Sequence, residues 1–303
     1  MFRHILVPLD GSRLAEAVMP AVAYLAERLG ARVTLLHVVE SHPPKDIHGE
    51  RHLASASEAR TYLEQLTARA GPGTARVACH VDDSPASDVA VAIAESARAL
   101  ATDLIVLCAH GWGGVRGWIY GGIAQQVVHG AVAPVMVVHP PASDPAHDFR
   151  CARVLVPLDG SAEHEGGLAV AKALARACSA ELSLLGVVPT PATLSGVPAT
   201  TARLLPGATS ELLDLSERDI EAYLEDHVRR LRAAGVPARA ETRRGDPAST
   251  IVSTARRSRS DVIVLGTHGK RGMHAFWSGS VAPRVSKSTY LPLLLVPLDP
   301  SAR

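Results

Sequence analysis

Val7-Pro8-Leu9-Asp10-Gly11-Ser12 recurs unchanged as Val156-Pro157-Leu158-Asp159-Gly160-Ser161, 149 residues on. Further matches follow in the same order. Asp103-Leu104-Ile105-Val106-Leu107 returns as Asp261-Val262-Ile263-Val264-Leu265, and Ala109-His110-Gly111 as Thr267-His268-Gly269, both at an offset of 158. Pro134–Val138 matches Pro292–Val296 at that same offset. Matching order and near-constant spacing mean two copies of one domain. The reading is domain one over 1–140, a linker over 141–150 with Pro141 and Pro145 among polar residues, and domain two over 151–303.

Each copy alternates short apolar runs with helical patterns. In the first copy Ile5–Leu9, Val33–Val39, Arg76–Val81, Leu104–Leu107 and Val135–Val138 read as strands. Glu16–Leu29, Leu53–Ala70, Asp88–Leu100 and Ile123–Val128 read as helices. Apolar runs without alternation indicate strands covered on both faces. Strands alternating with helices imply right-handed crossovers and a parallel sheet. The fold class is therefore α/β, with two tandem five-stranded Rossmann-like domains. The second copy spans 60 residues from Val187 to Pro247, against 47 from Val38 to Pro85. The surplus falls in Pro189–Ser210, rich in Pro, Ala, Thr and Ser, which reads as a flexible loop. Glu211–Leu231 reads as a helix with a solvated, ion-paired face.

Composition narrows the classes. The chain has 303 residues, 47% hydrophobic and 20% charged, enough for packed cores. Its formal net charge is +1, so no global field draws nucleic acid or an anionic membrane. Four cysteines, none in a C-x-x-C pair, read as reduced thiols. Met1-Phe2-Arg3-His4 lacks the pattern of a signal peptide, and no apolar run reaches membrane length. The expected compartment is the cytoplasm.

In a doubly wound sheet ligands sit at the carboxyl ends of the strands. Two features of each copy fall there: the Asp after the first strand, and a glycine-rich stretch after the fourth. In the second copy that stretch runs Gly266-Thr267-His268-Gly269, nine residues, then Gly279-Ser280, or G-x2-G-x9-G-S. Glycines let main-chain N–H groups approach a phosphate with no Cβ in the way. Gly279 and Ser280 open a helix, whose free N–H groups favour an anion.

The Val-Pro-x-Asp-Gly-Ser opening, the five-stranded alternation and the G-x2-G-x9-G-S stretch together resemble the universal stress protein family, over nearly the whole chain. The resemblance implies an adenine nucleotide alpha hydrolase-like fold and ATP as ligand, with Mg2+. It implies that Asp159 contacts the nucleoside and the main chain of Val187 the adenine. Gly266, Gly269, Gly279 and Ser280 would hold ribose and phosphates, with Pro157, Leu265 and Val281 lining the pocket. It further implies pairing of fifth strands, here Val135–Val138 with Leu293–Val296, as an intramolecular pseudo-dimer. A homodimer and an unidentified protein partner in stress response or signalling belong to the same expectation.

The first copy departs from the pattern. It reads Cys108-Ala109-His110-Gly111, nine residues, then Gly121-Gly122. Cys108 replaces a glycine and Gly122 the terminal Ser. Losing one hydroxyl bond to a charged group costs about 1.5–3 kcal/mol, roughly 10- to 100-fold in affinity. The counterpart site of Pro8, Asp10, Val38, Leu107, Cys108, Gly111, Gly121 and Gly122 is therefore expected to be weaker or empty; Arg116 in the intervening loop reads as a solvated arginine rather than a substitute.

Other candidates read more plainly. His110 and His268 have no carboxylate partner in sequence, so no catalytic residue is assigned. His48 and His52 sit beside Pro43-Pro44 and Gly49 in an expected loop, and no metal site is assigned. Cys108 reads as a small residue in place of Gly. Trp112, Trp118 and Tyr120 are expected at a domain interface. The chain lacks G-x4-G-K-[ST], so the nucleotide is expected to act through conformation or association rather than turnover. Slow ATP hydrolysis or nucleotide transfer, and an interaction module with structural or no nucleotide, are the alternatives.

Overall fold

The computed structural model describes residues 2–69, 76–86, 88–109, 122–131, 133–140, 149–161, 165–194, 197–268 and 281–298. These fall into two compact units. Unit 1 draws on Met1–Arg150 and Pro292–Pro297, and unit 2 on Cys151–His268, 281–291 and Leu298.

Unit 1 contains β1 (His4–Pro8), α1 (Arg13–Glu16), α2 (Met19–Leu29), β2 (Arg32–Glu40), β3 (Asp46–Ile47), β4 (Glu50–Arg51), α3 (Ala56–Arg69), β5 (Val77–Ala86), α4 (Val89–Ala99), β6 (Leu104–Cys108), α5 (Gly122–Gly130) and β7 (Val135–Val138). The sheet order is β5-β2-β1-β6-β7, all parallel. Ile5, Leu6, Val7, Leu104, Ile105 and Val106 are at most 1% exposed, as strands covered on both faces require. The last strand of the chain, β12 (Leu293–Leu298), groups almost wholly with this unit. Its Leu293, Leu294 and Leu295 pair antiparallel with Val137, Met136 and Val135 of β7.

Unit 2 contains β8 (Arg153–Leu158), α6 (Glu165–Cys178), β9 (Glu181–Val188), α7 (Val197–Leu204), α8 (Pro206–Ala233), β10 (Ala238–Arg244), α9 (Pro247–Arg257), β11 (Val262–His268) and α10 (Val281–Ser288). Its order is β10-β9-β8-β11, again with parallel ladders. No helix among the described residues is long and apolar enough to cross a membrane.

The repeated aspartates have a structural job. Asp103 accepts the N–H groups of Arg3 (2.7 and 2.9 Å) and His4 (2.9 Å), holding the start of β1. Asp261 does the same for Ala152 and Arg153, both at 2.8 Å, at the start of β8. Such bonds satisfy N–H groups that the ladder leaves over.

Three sequence expectations need correction. Glu16–Leu29 is not one helix, because α1 ends at Glu16 and α2 begins at Met19. Pro20 has no N–H to give to the Glu16 carbonyl, so the turn breaks there. Pro189–Ser210 is not mainly loop: α7 and the first turn of α8 occupy most of it, with Pro206 in the first turn, where its missing N–H is harmless. Nor is α8 only a solvated face. Leu213, Ile220, Leu224, Val228 and Leu231 are buried at helical spacing, while Asp226 pairs with Arg229 and Arg230 outside.

Gly186 shows how closely α8 packs. A Cβ there would meet Ile220 Cγ2 at 3.0 Å and Leu224 Cδ1 at 3.1 Å. In unit 1 the residue 149 positions earlier is His37, and the helix position matching Ile220 is Ala59. Small-on-sheet with large-on-helix in unit 2 becomes the reverse in unit 1. Gly186→Val should therefore destabilise the protein by about 1–3 kcal/mol in denaturant unfolding. Adding Ile220→Ala should recover part of that loss. An additive double variant would show that the two positions do not share one space.

Candidate functional site

The prolines of the repeated motif mark where each sheet opens. Leu9 N–H bonds the Leu36 carbonyl of β2 at 2.8 Å, so the missing N–H of Pro8 lies on the opposite side, toward β6. On that side the β1–β6 ladder holds only Ile5 to Leu104 and Leu6 to Ile105. On the other side the β1–β2 ladder continues to Pro8 and Leu36. Unit 2 repeats this, with Val154 on Val262 and Leu155 on Ile263, while Pro157 still pairs with Leu185. The first and fourth strands part just before the proline, and strand order reverses at that same point. This is where a doubly wound sheet forms its ligand crevice.

In unit 2 the described candidates gather around this opening. Asp159 follows β8, and its Oδ1 accepts the Ser161 N–H at 3.0 Å, which fixes the turn. Val187 is the last residue but one of the neighbouring β9, and Leu265 and Gly266 lie on β11. Val281 is the first residue of α10. Asp159 is exposed, and Pro157, Val187, Gly266 and Val281 are half-buried, amid buried Val156, Leu158, Val188 and Leu265. Gly167 of α6 lies against the same strand end: a Cβ on it would stand 3.3 Å from the Gly266 nitrogen. Gly269, Gly279 and Ser280 lie outside the described residues, as do His110, Gly111, Trp112, Arg116, Trp118, Tyr120, Gly121 and the side chain of His268.

A polar group that the sequence reading missed stands beside Asp159. Tyr223 Oη donates to Glu165 Oε1 at 3.3 Å, and His227 Nε2 lies 3.4 Å from the same oxygen. The two rings meet edge to face at 4.5 Å. Burial first, then the charges of Glu165 and Asp159, push the Tyr223 phenol up. The i, i+4 spacing of Tyr223 and His227 and the recurrence of Glu16 as Glu165 were the available signals. Unit 1 keeps half of it: burial, then Glu16 and Asp10, push the Tyr62 phenol up.

Unit 1 presents the same frame with a different mouth. Asp10 Oδ1 accepts from Ser12 N–H (2.9 Å) and Ser12 Oγ (2.7 Å). Val38 is 7% exposed, Leu107 6% and Cys108 5%, so the counterparts of half-buried Val187 and Gly266 are covered. Burial, then Asp10, push the Cys108 thiol up to about 12, which makes it a poor nucleophile. The expected loop at His48 and His52 is instead a hairpin of β3 and β4. His48 Nε2 lies 3.7 Å from Asp10 Oδ2, and His52 Nε2 lies 3.3 Å from Glu40 Oε1. The His37 and His52 rings stand 6.3 Å apart, with His37 Nδ1 bonded to the Leu9 carbonyl at 2.8 Å. Among the described residues no cluster of three or more His, Cys, Asp or Glu could hold a metal ion.

Comparison with known proteins agrees with this geometry. The model of the universal stress protein family matches residues 1–139 and again 151–297. The universal stress protein MJ0531 of Methanocaldococcus jannaschii is 30% identical over 144 residues, covering 48% of this chain and 81% of its own. Rv2623, a universal stress protein of Mycobacterium tuberculosis, is 26% identical, with 96% of this chain and 95% of its own covered. Among solved structures, one from Archaeoglobus fulgidus superposes with a TM-score of 0.63 at 19% identity, over 97% of this chain and 98% of its own. The chain belongs to the universal stress protein family.

Burial holds the His37 pKa below its ordinary value, aided by His52 and opposed by the Leu9 carbonyl and Asp10. Burial also lowers His4. Below about pH 6.5 the unfolded chain therefore binds protons that the folded chain refuses, and stability falls with pH. Thermal melts from pH 7.5 down to 5 should show unfolding at progressively lower temperature below that point. His37→Asn should flatten part of the slope. A stability that stays level or rises on acidification would contradict this.

Proposed function

We propose that this universal stress protein holds ATP, with Mg2+, at the crevice of unit 2, and acts in stress response or signalling through that bound state. The observation that carries the reading is the opened mouth between β8 and β11. There an exposed carboxylate, a half-buried strand end and a glycine at a close backbone approach converge on the start of the G-x2-G-x9-G-S stretch. Asp159, oriented by Ser161, suits the hydroxyl donors of a ribose, since an ionised carboxylate only accepts. The Val187 main chain suits the edge of a base, and half-buried Pro157 and Val281 suit its faces. The glycine stretch supplies backbone donors to phosphates, whose charge Mg2+ would offset.

The nucleotide is held rather than turned over. His227, which shares Glu165 with Tyr223, is 7% exposed and engaged with both. It is poorly placed to activate water at an exposed mouth. Unit 1, with its covered strand ends, takes no nucleotide or takes it weakly.

Calorimetric titration of nucleotide-stripped protein with Mg-ATP should show one site per chain. Asp159→Ala should weaken it roughly 10- to 100-fold, the loss of a bond to a charged group. Gly279→Val should abolish it. Retained ATP should be recovered unhydrolysed after hours. Absence of binding by the wild-type protein would contradict the ligand, and steady release of ADP would favour the enzymatic alternative.

A further inference from the structure

The hairpin in unit 1 ends in a residue with an uncommon backbone. Asp46–Ile47 and Glu50–Arg51 pair antiparallel, leaving His48 and Gly49 as a two-residue turn. Both have positive φ, 52° and 79°. That is the signature of a type I′ turn, whose first position is usually Asn, Asp or Gly. A β-carbon in the left-handed region is strained, and such strain persists where the surroundings impose it.

The surroundings are built for it. Glu50 Oε2 accepts the Arg13 N–H at 2.9 Å, tying β4 to the start of α1. Arg51 pairs with Glu58, whose other oxygen accepts the Ala54 N–H at 3.0 Å. His52 N–H bonds the Lys45 carbonyl at 3.2 Å, closing the base of the hairpin. Leu53 lies on Gly11 so closely that a Cβ there would be 2.8 Å from its methyl carbon. On the other flank, the β2–β5 register slips between Val38 and Glu40, beside the carboxylate that meets His52. Two nitrogens inside, His37 Nε2 and His52 Nδ1, are buried without a hydrogen-bond partner among the described residues. A nine-residue stretch of chain thus lies over the carboxyl ends of β1 and β2, with an imidazole at its tip directed at Asp10.

Among the described residues unit 2 has no such cover at the matching turn. A Cβ on Gly160 would meet only Ile220, at 3.9 Å, among the described residues. There the chain after β9 leads into α7 instead.

We infer that the Asp46–Arg51 hairpin is an autoinhibitory plug: it seats His48 on the Asp10 carboxylate, where a nucleoside would otherwise dock, and closes unit 1 to nucleotide. The inference rests on the nucleotide reading of unit 2 and differs from an explanation by loop chemistry alone. If Cys108 and Gly122 were the whole cause, restoring Gly and Ser would open the site with the hairpin in place. If the plug is the cause, it would not.

Mg-ATP stoichiometry of the full chain separates these, with circular dichroism confirming that each variant folds. Wild type and Cys108→Gly/Gly122→Ser should both bind one ATP, and adding His48→Ala to the double variant should give two. Two sites in the double variant alone would overturn the plug, as would one site in the triple variant. No binding by wild type would overturn the nucleotide reading itself. Hydrogen exchange of the intact wild-type protein gives a second test that no substitution can spoil. Amides 46–52 should exchange at the same rate with and without saturating Mg-ATP, and a change on binding would overturn the plug. Asp10→Asn should speed their exchange roughly 2- to 5-fold, as loss of the His48 anchor requires. An unchanged rate would show that Asp10 does not hold the hairpin.

Discussion

Both units depend on where the first strand parts from the fourth. A parallel sheet gains by pairing every N–H it can, so an early split leaves donors and acceptors open unless something removes the need. Pro8 and Pro157 do so on the side that faces β6 and β11. The split costs no N–H there, and it falls where the strand order turns from one direction to the other. From this follow the position of Asp10 and Asp159 at the mouth, the start of the glycine-rich stretch at the far wall, and the main-chain edge of the second strand alongside. Asp103 and Asp261 complete the frame from the opposite end by fixing where the first strand begins.

On one frame the two units have gone different ways through paired exchanges of volume. Unit 2 places Gly186 on the sheet under Ile220 and Leu224, and Gly167 against the backbone of Gly266. Unit 1 places His37 and Val18 at the matching positions, both at most 2% exposed, and Cys108 where Gly266 stands. The first set brings helices close and leaves the strand ends half-open. The second fills the same region with side chains, and the hairpin adds its own histidines. Each difference is small in sequence. Together they separate an exposed carboxylate, Asp159, from a half-buried one, Asp10.

Much of this was legible before the structure. The repeat supplied its own internal comparison, and uninterrupted apolar runs such as Leu104–Leu107, set between helical patterns, indicate doubly covered strands. The candidate crevice could be placed because Asp159 follows the first strand; the glycine-rich stretch, read as following the fourth strand, begins inside β11 at Gly266. What escaped had physical causes. Pro20 broke a helix that apolar periodicity alone carries through from Glu16 to Leu29. Pro206 did the opposite, starting α8 in a segment whose Pro, Ala, Thr and Ser suggested a loop. The hairpin was hidden because His48 occupies a turn position that Asn or Asp would have announced. The contact of Tyr223 and His227 with Glu165 joins residues some sixty positions apart, beyond the reach of local pattern.

Photolabelling with 8-azido-ATP, followed by peptide mapping, tests most directly the claim that one crevice is open and the other closed. The account places the label on peptides of unit 2 that border the crevice, around Pro157–Asp159, Val187 or Val281, and predicts that excess ATP removes it. Competable label on Pro8–Asp10 or Val38 of unit 1, or an unlabelled unit 2, would contradict it.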